Sequence, residues 1–469
     1  MKKTLLSLLS ILFALSASSQ IPELWGSMAL GGSFGIGGII KINGDGTGYN
    51  MDYVCTGGIN GGSIQSNLLP INSTLLYGNS TSGGLNAVGD IFSYNPGTND
   101  YTSMFSMDSL SGYYPRGPII KASNNNSLFG MTNNGGIFDK GVFYEFNLTN
   151  NTYTKRHDFD VLSGQLPNGG VMQSTVNNKI YGMTTSGGAN SGGVIFSYDI
   201  PTTTFSIVHD FSFTTGWTPF GTMRQASNGL LYGMAFGGGT GGYGVIFSFN
   251  PTNNNYNVVH NFNGIDGSAP WSQLIEVGGI LYGCTSQGGV NNNKGVIFKY
   301  QISNNTMTKL HDFDTPTGAS PFGNVMMASD GNLYGCTNSG GANSLGVIYK
   351  FNLTTNNYTV IYTGSFALGG IPYADLIEYS GSTPVNEIEG NEKLISISPN
   401  PTSGAINIQV NNFTQPTTLI LTNLVGQQVM QIPLTAPALQ MEIDLAPGLY
   451  FYTTHPSLSR SAGRLLITH

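Results

Sequence analysis

Ile280-Leu281-Tyr282-Gly283-Cys284-Thr285, then Gly295-Val296-Ile297-Phe298, then His311-Asp312-Phe313, make up one unit of a pattern that runs down the chain. Its first element recurs as Leu24-Trp25-Gly26, Leu76-Tyr77-Gly78, Leu128-Phe129-Gly130, Ile180-Tyr181-Gly182, Leu231-Tyr232-Gly233 and Leu333-Tyr334-Gly335. Successive starts lie 52, 52, 52, 51, 50 and 52 residues apart. Seven copies at a period near 50 point to a propeller, since solenoid repeats are shorter.

Within the copy quoted, turn clusters separate four short apolar runs, and the spacing predicts strands at Ser272 to Glu276, Leu281 to Ser286, Gly295 to Tyr300 and Met307 to Phe313. Four strands make one blade. The third run starts with Gly-Val-Ile-Phe at Gly193, Gly244 and Gly295, with variants at Gly38, Gly89, Gly141 and Gly346. Its near-continuous apolar character fits a sheet covered on both faces by neighbouring blades. The first copy begins at its second strand, while Ile371 to Glu378 after the seventh copy reads as a spare first strand. Pairing the two closes the ring without terminal caps. The expected fold is all-β: a seven-bladed β-propeller over 20-379, followed by a small Ig-like β-sandwich.

Composition agrees. Charged residues are 9% of the 469, while 24 Tyr and 25 Phe supply the aromatics that disordered chains lack. A net charge of -7 gives no footprint for nucleic acid. Lys2-Lys3, the apolar run Leu5 to Leu15 and Ala17-Ser18-Ser19 have the order of a signal peptide over 1-19, and no later run is long enough to span a bilayer. Cys55, Cys284 and Cys336 are too few for a disulfide framework. Cys284 and Cys336 hold the same repeat position, which places them on corresponding strands of adjacent blades and disfavours a bond between them.

Residues 380-393 are polar and acidic and read as a linker. Ser398-Pro399-Asn400-Pro401, Leu424-Val425-Gly426-Gln427-Gln428-Val429, Leu445-Ala446-Pro447-Gly448-Leu449-Tyr450 and Gly463-Arg464-Leu465-Leu466-Ile467 follow, a β-rich series of about seven strands over 394-469. The Leu-Tyr-Gly, Gly-Val-Ile-Phe and His-Asp-Phe units across 24-378 resemble the GloVer (Gloeo_Verruco) tandem repeats of secreted bacterial proteins, a family that implies no activity. The C-terminal motifs are similar to the sorting domain of type IX secretion cargo in Bacteroidetes. That resemblance implies handling by the type IX machinery, export across the outer membrane, and release or attachment at the outer cell surface.

His157-Asp158, His209-Asp210 and His311-Asp312 have the chemistry of an oriented base. One pair per blade, however, spreads them round the ring, so a structural role at the end of the outer strand is expected, and neither a catalytic residue nor a metal ligand is assigned. Asn43 to Gly48 reads as a hairpin turn, not a calcium loop. No cofactor is expected.

At the start of the innermost strand Pro is followed by a variable residue: Arg116, Asn168, Phe220, Trp271, Phe322 and Tyr373. Two positions on come Pro118, Gly170, Thr222, Gln273, Asn324 and Asp375. Phe220, Trp271, Phe322 and Tyr373 with Gln273, Asn324 and Asp375 form the candidate ligand site at the channel mouth, suited to a sugar ring or a peptide. The competing expectation is that these rings pack between blades. The first expectation for function is a non-catalytic secreted or cell-surface propeller that binds glycan or protein through its loop-rich face, where the second-to-third and inter-blade connections emerge. A hydrolase or lyase would instead bring two carboxylates together, with Asp375 and Asp266 the pair to examine. A structural surface protein without a small ligand is the third expectation.

Overall fold

The computed structural model describes residues 21–123, 126–372, 375–379, 395–398, 405–410, 417–423, 427–446, 448–455 and 462–467. The expected leader at 1-19 and the expected linker at 380-393 lie outside these residues. Contacts divide the chain into two units, Met1–Thr383 and Pro384–His469.

The first unit consists of seven four-stranded antiparallel sheets. Numbering blades by their Leu-Tyr-Gly copy, the sixth holds Ile275–Val277, Ile280–Thr285, Val296–Gln301 and Thr306–Asp312, from the axis outward. Three of these strands fall where the repeat predicts them. The innermost is shorter than the expected Ser272 to Glu276, because residues before Ile275 bond to the next blade: Gln273 N–H donates to Asn324 Oδ1. The first blade takes its innermost strand from the far end of the chain, with Leu24 opposite Glu378 and Trp25 opposite Ile377.

Each recurring residue has a packing reason. Leu281 belongs to a core shared with Tyr232, Met234 and Ile246 of the fifth blade, whereas Tyr282 packs with Leu333 and Val347 of the seventh. Alternation along one strand therefore buries both faces. A Cβ on Gly283 would sit 2.8 Å from the ring of Phe298, so this glycine makes room for the Phe of Gly-Val-Ile-Phe. Gly295 has φ +98°, and a Cβ there would lie 2.2 Å from Thr285 O, which only glycine tolerates.

Cys55, Cys284 and Cys336 are buried and unpaired. Burial pushes the Cys55 and Cys284 thiols up to about 12. Asn43 to Gly48 turns between Gly38–Asn43 and Asn50–Val54, held by Asn43 N–H to Thr47 O at 2.9 Å and Thr47 N–H to Asp45 Oδ1 at 2.9 Å.

The second unit has two sheets among the described residues. Ile395–Ser398, Ala405–Val410 and Ala438–Glu442 form one; Gln428–Leu434, Thr417–Thr422, Gly448–His455 and Ala462–Ile467 form the other. Ile406 and Ile408 from the first share a core with Leu419, Leu421, Ile432, Leu434 and Leu465 from the second, as in a sandwich.

Candidate functional site

Seven innermost strands converge on one axis, and a cavity of about 140 Å³ opens there. Every blade lines it: Asp375 of the first, Gln65 and Asn67 of the second, Arg116, Gly117 and Pro118 of the third, Asn168 and Gly169 of the fourth. Phe220, Gly221 and Thr222 of the fifth, Trp271 and Ser272 of the sixth, and Phe322 and Asn324 of the seventh complete the wall. The approach is closest at the glycines. A Cβ on Gly169 would stand 2.3 Å from Gly221 O, and one on Gly117 2.0 Å from Gly169 O.

A belt of hydrogen bonds runs from blade to blade around this wall. Gly170 N–H donates to Thr222 Oγ1 at 2.7 Å, Asn324 N–H to Asp375 Oδ1 at 2.6 Å, and Asp375 N–H to Asn67 Oδ1 at 3.2 Å. Gln273 N–H makes the same bond to Asn324 Oδ1. The Asp375 carboxylate also accepts from the amides of Asn67 and Asn324. Burial raises the pKa of Asp375, against the opposing pull of these donors.

Of the residues picked from sequence, Phe220, Trp271, Phe322, Asn324 and Asp375 line the cavity together. Gln273 is not among the lining residues and contributes its backbone N–H to the belt. Tyr373 lies outside the described residues. Gln65 and Asn67 were missed, because the second copy has Ile64 where others carry the marker Pro. They lie 51 residues before Arg116 and Pro118, one fewer than the 52 between the Leu-Tyr-Gly elements of those two copies.

The aromatic residues both line the cavity and pack on one another. Phe220 stacks on Trp271 with centroids 3.7 Å apart and planes at 10°, and Trp271 meets Phe322 at 4.9 Å and 33°. Phe220 and Phe322 flank Trp271 from the blades on either side, so both indole faces are covered.

The His-Asp-Phe segments do different work. A bulge before each pair, seen where Ile297 opposes His311 but Phe298 opposes Lys309, turns the ring toward the next blade. His157 stacks on Phe205 at 3.7 Å and 5°, His209 on Tyr256 at 3.9 Å and 6°, and His311 on Tyr358 at 4.1 Å and 5°. Where His is absent, Phe105 on Tyr153, Tyr53 on Tyr101 and Tyr362 on Tyr49 make the same stack. Burial lowers the pKa of His157 and His311, and brings that of His209 to about 4. The adjacent Asp bonds backbone as expected: Asp158 accepts from Ile137 N–H at 2.9 Å, Asp210 from Ala189 N–H at 2.6 Å and Asp312 from Val290 N–H at 2.9 Å. His and Asp thus serve a seam and a loop, with no shared target.

Those loops share a face. The connection into each blade touches that blade's second-to-third connection, as in Gly341 N–H to Thr315 O and Gly289 N–H to Gly264 O. Their tips carry Ile59, Leu110, Leu162, Phe213, Ile265 and Phe366, each 55–72% exposed, an apolar residue on six of the seven entering loops.

Fold and cavity together define the class: a seven-bladed propeller with an axial cavity to which every blade contributes lining residues. The family model for the Gloeobacter/Verrucomicrobia repeat matches residues 15–192 and 174–393, and the chain belongs to that family. Residues 396–468 match the secretion system C-terminal sorting domain. That domain places the chain among secreted proteins handled by the type IX system. No curated protein matches.

Solved structures with similar folds include a putative 6-phosphogluconolactonase from Bacteroides fragilis NCTC 9343, 14% identical, covering 77% of this chain and 98% of that one with a TM-score of 0.51. Another is PorZ, a surface component of the type IX secretion system of Porphyromonas gingivalis: 12% identity, 93% of this chain, TM-score 0.46. The chain spans 64% of the length of PorZ. A GH74 enzyme of Niastella koreensis is 11% identical over 95% of this chain and 74% of its own, with a TM-score of 0.47.

Proposed function

We propose that this is a non-catalytic, extracellular binding propeller that takes a glycan in its axial cavity, exported with a leader at residues 1-19 and carried to the cell surface by its sorting domain. The observation that carries this reading is the lining: the aromatic rings of Phe220, Trp271 and Phe322 together with the side chains of Gln65, Asn67, Asn168, Thr222 and Asn324, all on one cavity. Amides and hydroxyls recognise sugar hydroxyls in both donor and acceptor roles, while ring edges and faces cover the apolar C–H patches. A hydrolase works with two carboxylates across one pocket. Asp375 is the one carboxylate among the lining residues, and its oxygens are engaged by Asn67 and Asn324. Asp266 is bound instead by His260 Nε2 at 3.1 Å and Asn263 N–H at 2.9 Å.

Glycan-array screening of the full chain tests the reading, with Asn168→Trp as a variant that fills the cavity from a half-buried side chain. Binding by the parent and its loss in the variant support it. A parent that binds no glycan, or a variant that binds as well, overturns it.

A second reading has its own observation. The apolar tips at Leu110, Leu162, Phe213, Ile265 and Phe366 suit a protein partner on the loop-rich face. Leu162→Asp with Ile265→Asp would abolish such binding and leave glycan binding intact.

A further inference from the structure

Charge around the axial cavity is unevenly available. Two lining residues are ionisable, Arg116 and Asp375. The carboxylate of Asp375 is buried in the belt and bonded by Asn67 and Asn324, so it has little left to offer a ligand. Arg116 is exposed and has no hydrogen-bond or ion-pair partner among the described residues. A protein of net charge -7 therefore presents one uncommitted guanidinium at the wall of a cavity whose other ionisable lining residue, Asp375, is tied into the belt.

The lining is also polarised. Arg116 stands in the third blade, and the rings of Trp271 and Phe322 stand in the sixth and seventh, across the axis in a ring of seven. There Phe220 and Phe322 pack against Trp271. An oxygen-rich, negatively charged ligand meets the guanidinium on one side and apolar ring surface on the other.

A peptide is served less well. Extended peptides bind by adding main-chain bonds to a free strand. Here the N–H groups of Gly170, Gln273, Asn324 and Asp375 are already spent on the belt. What remains for a ligand is side-chain amide, hydroxyl and guanidinium.

We infer that the axial cavity selects a carboxylate-bearing sugar, a uronate residue of an acidic polysaccharide, with Arg116 pairing its carboxylate and the amides of Gln65 and Asn168 meeting its hydroxyls. This rests on the glycan reading above and narrows it to one chemical class. A planar guanidinium matches a carboxylate through two parallel hydrogen bonds.

The test is calorimetric titration of the full chain with tri-galacturonate, its methyl-esterified form, the neutral galactose trimer and acetate, repeated on Arg116→Gln. Arg116 is exposed and makes no internal bond, so the variant should fold as the parent does, checked by an unchanged Tm. The expected result is binding of the uronate at least 10-fold tighter than the ester or the neutral trimer, with Arg116→Gln reducing uronate affinity about 10- to 100-fold and erasing the preference. If the neutral trimer binds as well as the uronate, or Arg116→Gln leaves their ratio unchanged, the inference fails while the glycan reading stands. Acetate binding as tightly as the uronate overturns the inference in favour of a general anion site. If none of the sugars binds and the glycan array is blank, both fail.

Discussion

Cutting out residues 370–379 and rejoining the chain should unfold the propeller, because that decapeptide supplies the last strand of the first blade. Besides the ladder that pairs Leu24 with Glu378 and Trp25 with Ile377, four backbone bonds join it to the start of the propeller: Ala29 N–H to Ile371 O at 3.2 Å, Leu30 N–H to Gly370 O at 3.2 Å, Gly370 N–H to Leu30 O at 3.1 Å and Tyr379 N–H to Glu23 O at 3.1 Å. Asn324 N–H to Asp375 at 2.6 Å and Ser329 N–H to Glu378 at 2.7 Å join it to the seventh blade. At about 1 kcal/mol net per bond these contribute roughly 6 kcal/mol. Leu376, 3% exposed in a core with Leu24, Ile40, Tyr334 and Ile348, adds about 2–5 kcal/mol. The total reaches the roughly 5–15 kcal/mol by which a domain is stable.

Leu376→Ala isolates one part of this sum. A propeller of about 360 residues unfolds with an entropy near 0.75 kcal/mol/K, so a loss of about 3 kcal/mol lowers Tm by roughly 4 °C. Trp25, Trp217 and Trp271 are the three tryptophans of the chain, and all lie in the propeller, so their fluorescence in guanidinium follows this unit without interference from the other. The excised chain should show no cooperative transition, and Leu376→Ala an intermediate midpoint. Cooperative unfolding of the excised chain at the parental midpoint would refute the closure argument.

Other consequences concern the recurring motifs. Lowering pH from about 6.5 toward 4 should destabilise the propeller: His209 takes a proton in the unfolded chain at its ordinary pKa, but in the folded chain only near 4. Allowing for its partial exposure, the loss at that site is on the order of 1–2 kcal/mol, and His209→Phe, which copies the Phe105 stack, should remove it in pH-dependent denaturation. Asp210→Asn should be near neutral in stability, since Asn261 makes the equivalent bond to Thr240 N–H at 2.9 Å, whereas Asp210→Ala should cost about 1 kcal/mol. Gly193→Ala should cost at least about 2 kcal/mol by denaturant unfolding, because φ is +98° and the new Cβ would lie 2.1 Å from Thr184 O.

Blade number, strand order and closure follow from spacing, because each copy must place Leu, Gly and Phe at fixed points for neighbouring sheets to mesh. The cavity was partly legible for the same reason: Phe220, Trp271, Phe322, Asn324 and Asp375 share one register position or the next but one. What spacing could not reveal was pairing across blades. Nothing in a single copy indicates that Gln273 would use its backbone, that Phe220 and Phe322 would enclose Trp271, or that a bulge would turn His209 onto Tyr256. Those contacts lie about 50 residues apart along the chain and arise only once the ring is closed. Arg116 was visible as a variable residue, but its lack of a partner is a property of the assembled wall.

The most direct measurement of ligand entry uses Trp271 itself. In a Trp25→Phe, Trp217→Phe background the remaining indole lines the cavity, and its emission can be followed during titration with an acidic oligosaccharide that the full chain binds. Occupancy of the axial cavity predicts a saturable spectral shift whose midpoint matches the calorimetric affinity. Saturated binding with unchanged Trp271 emission would place the ligand elsewhere and contradict the account.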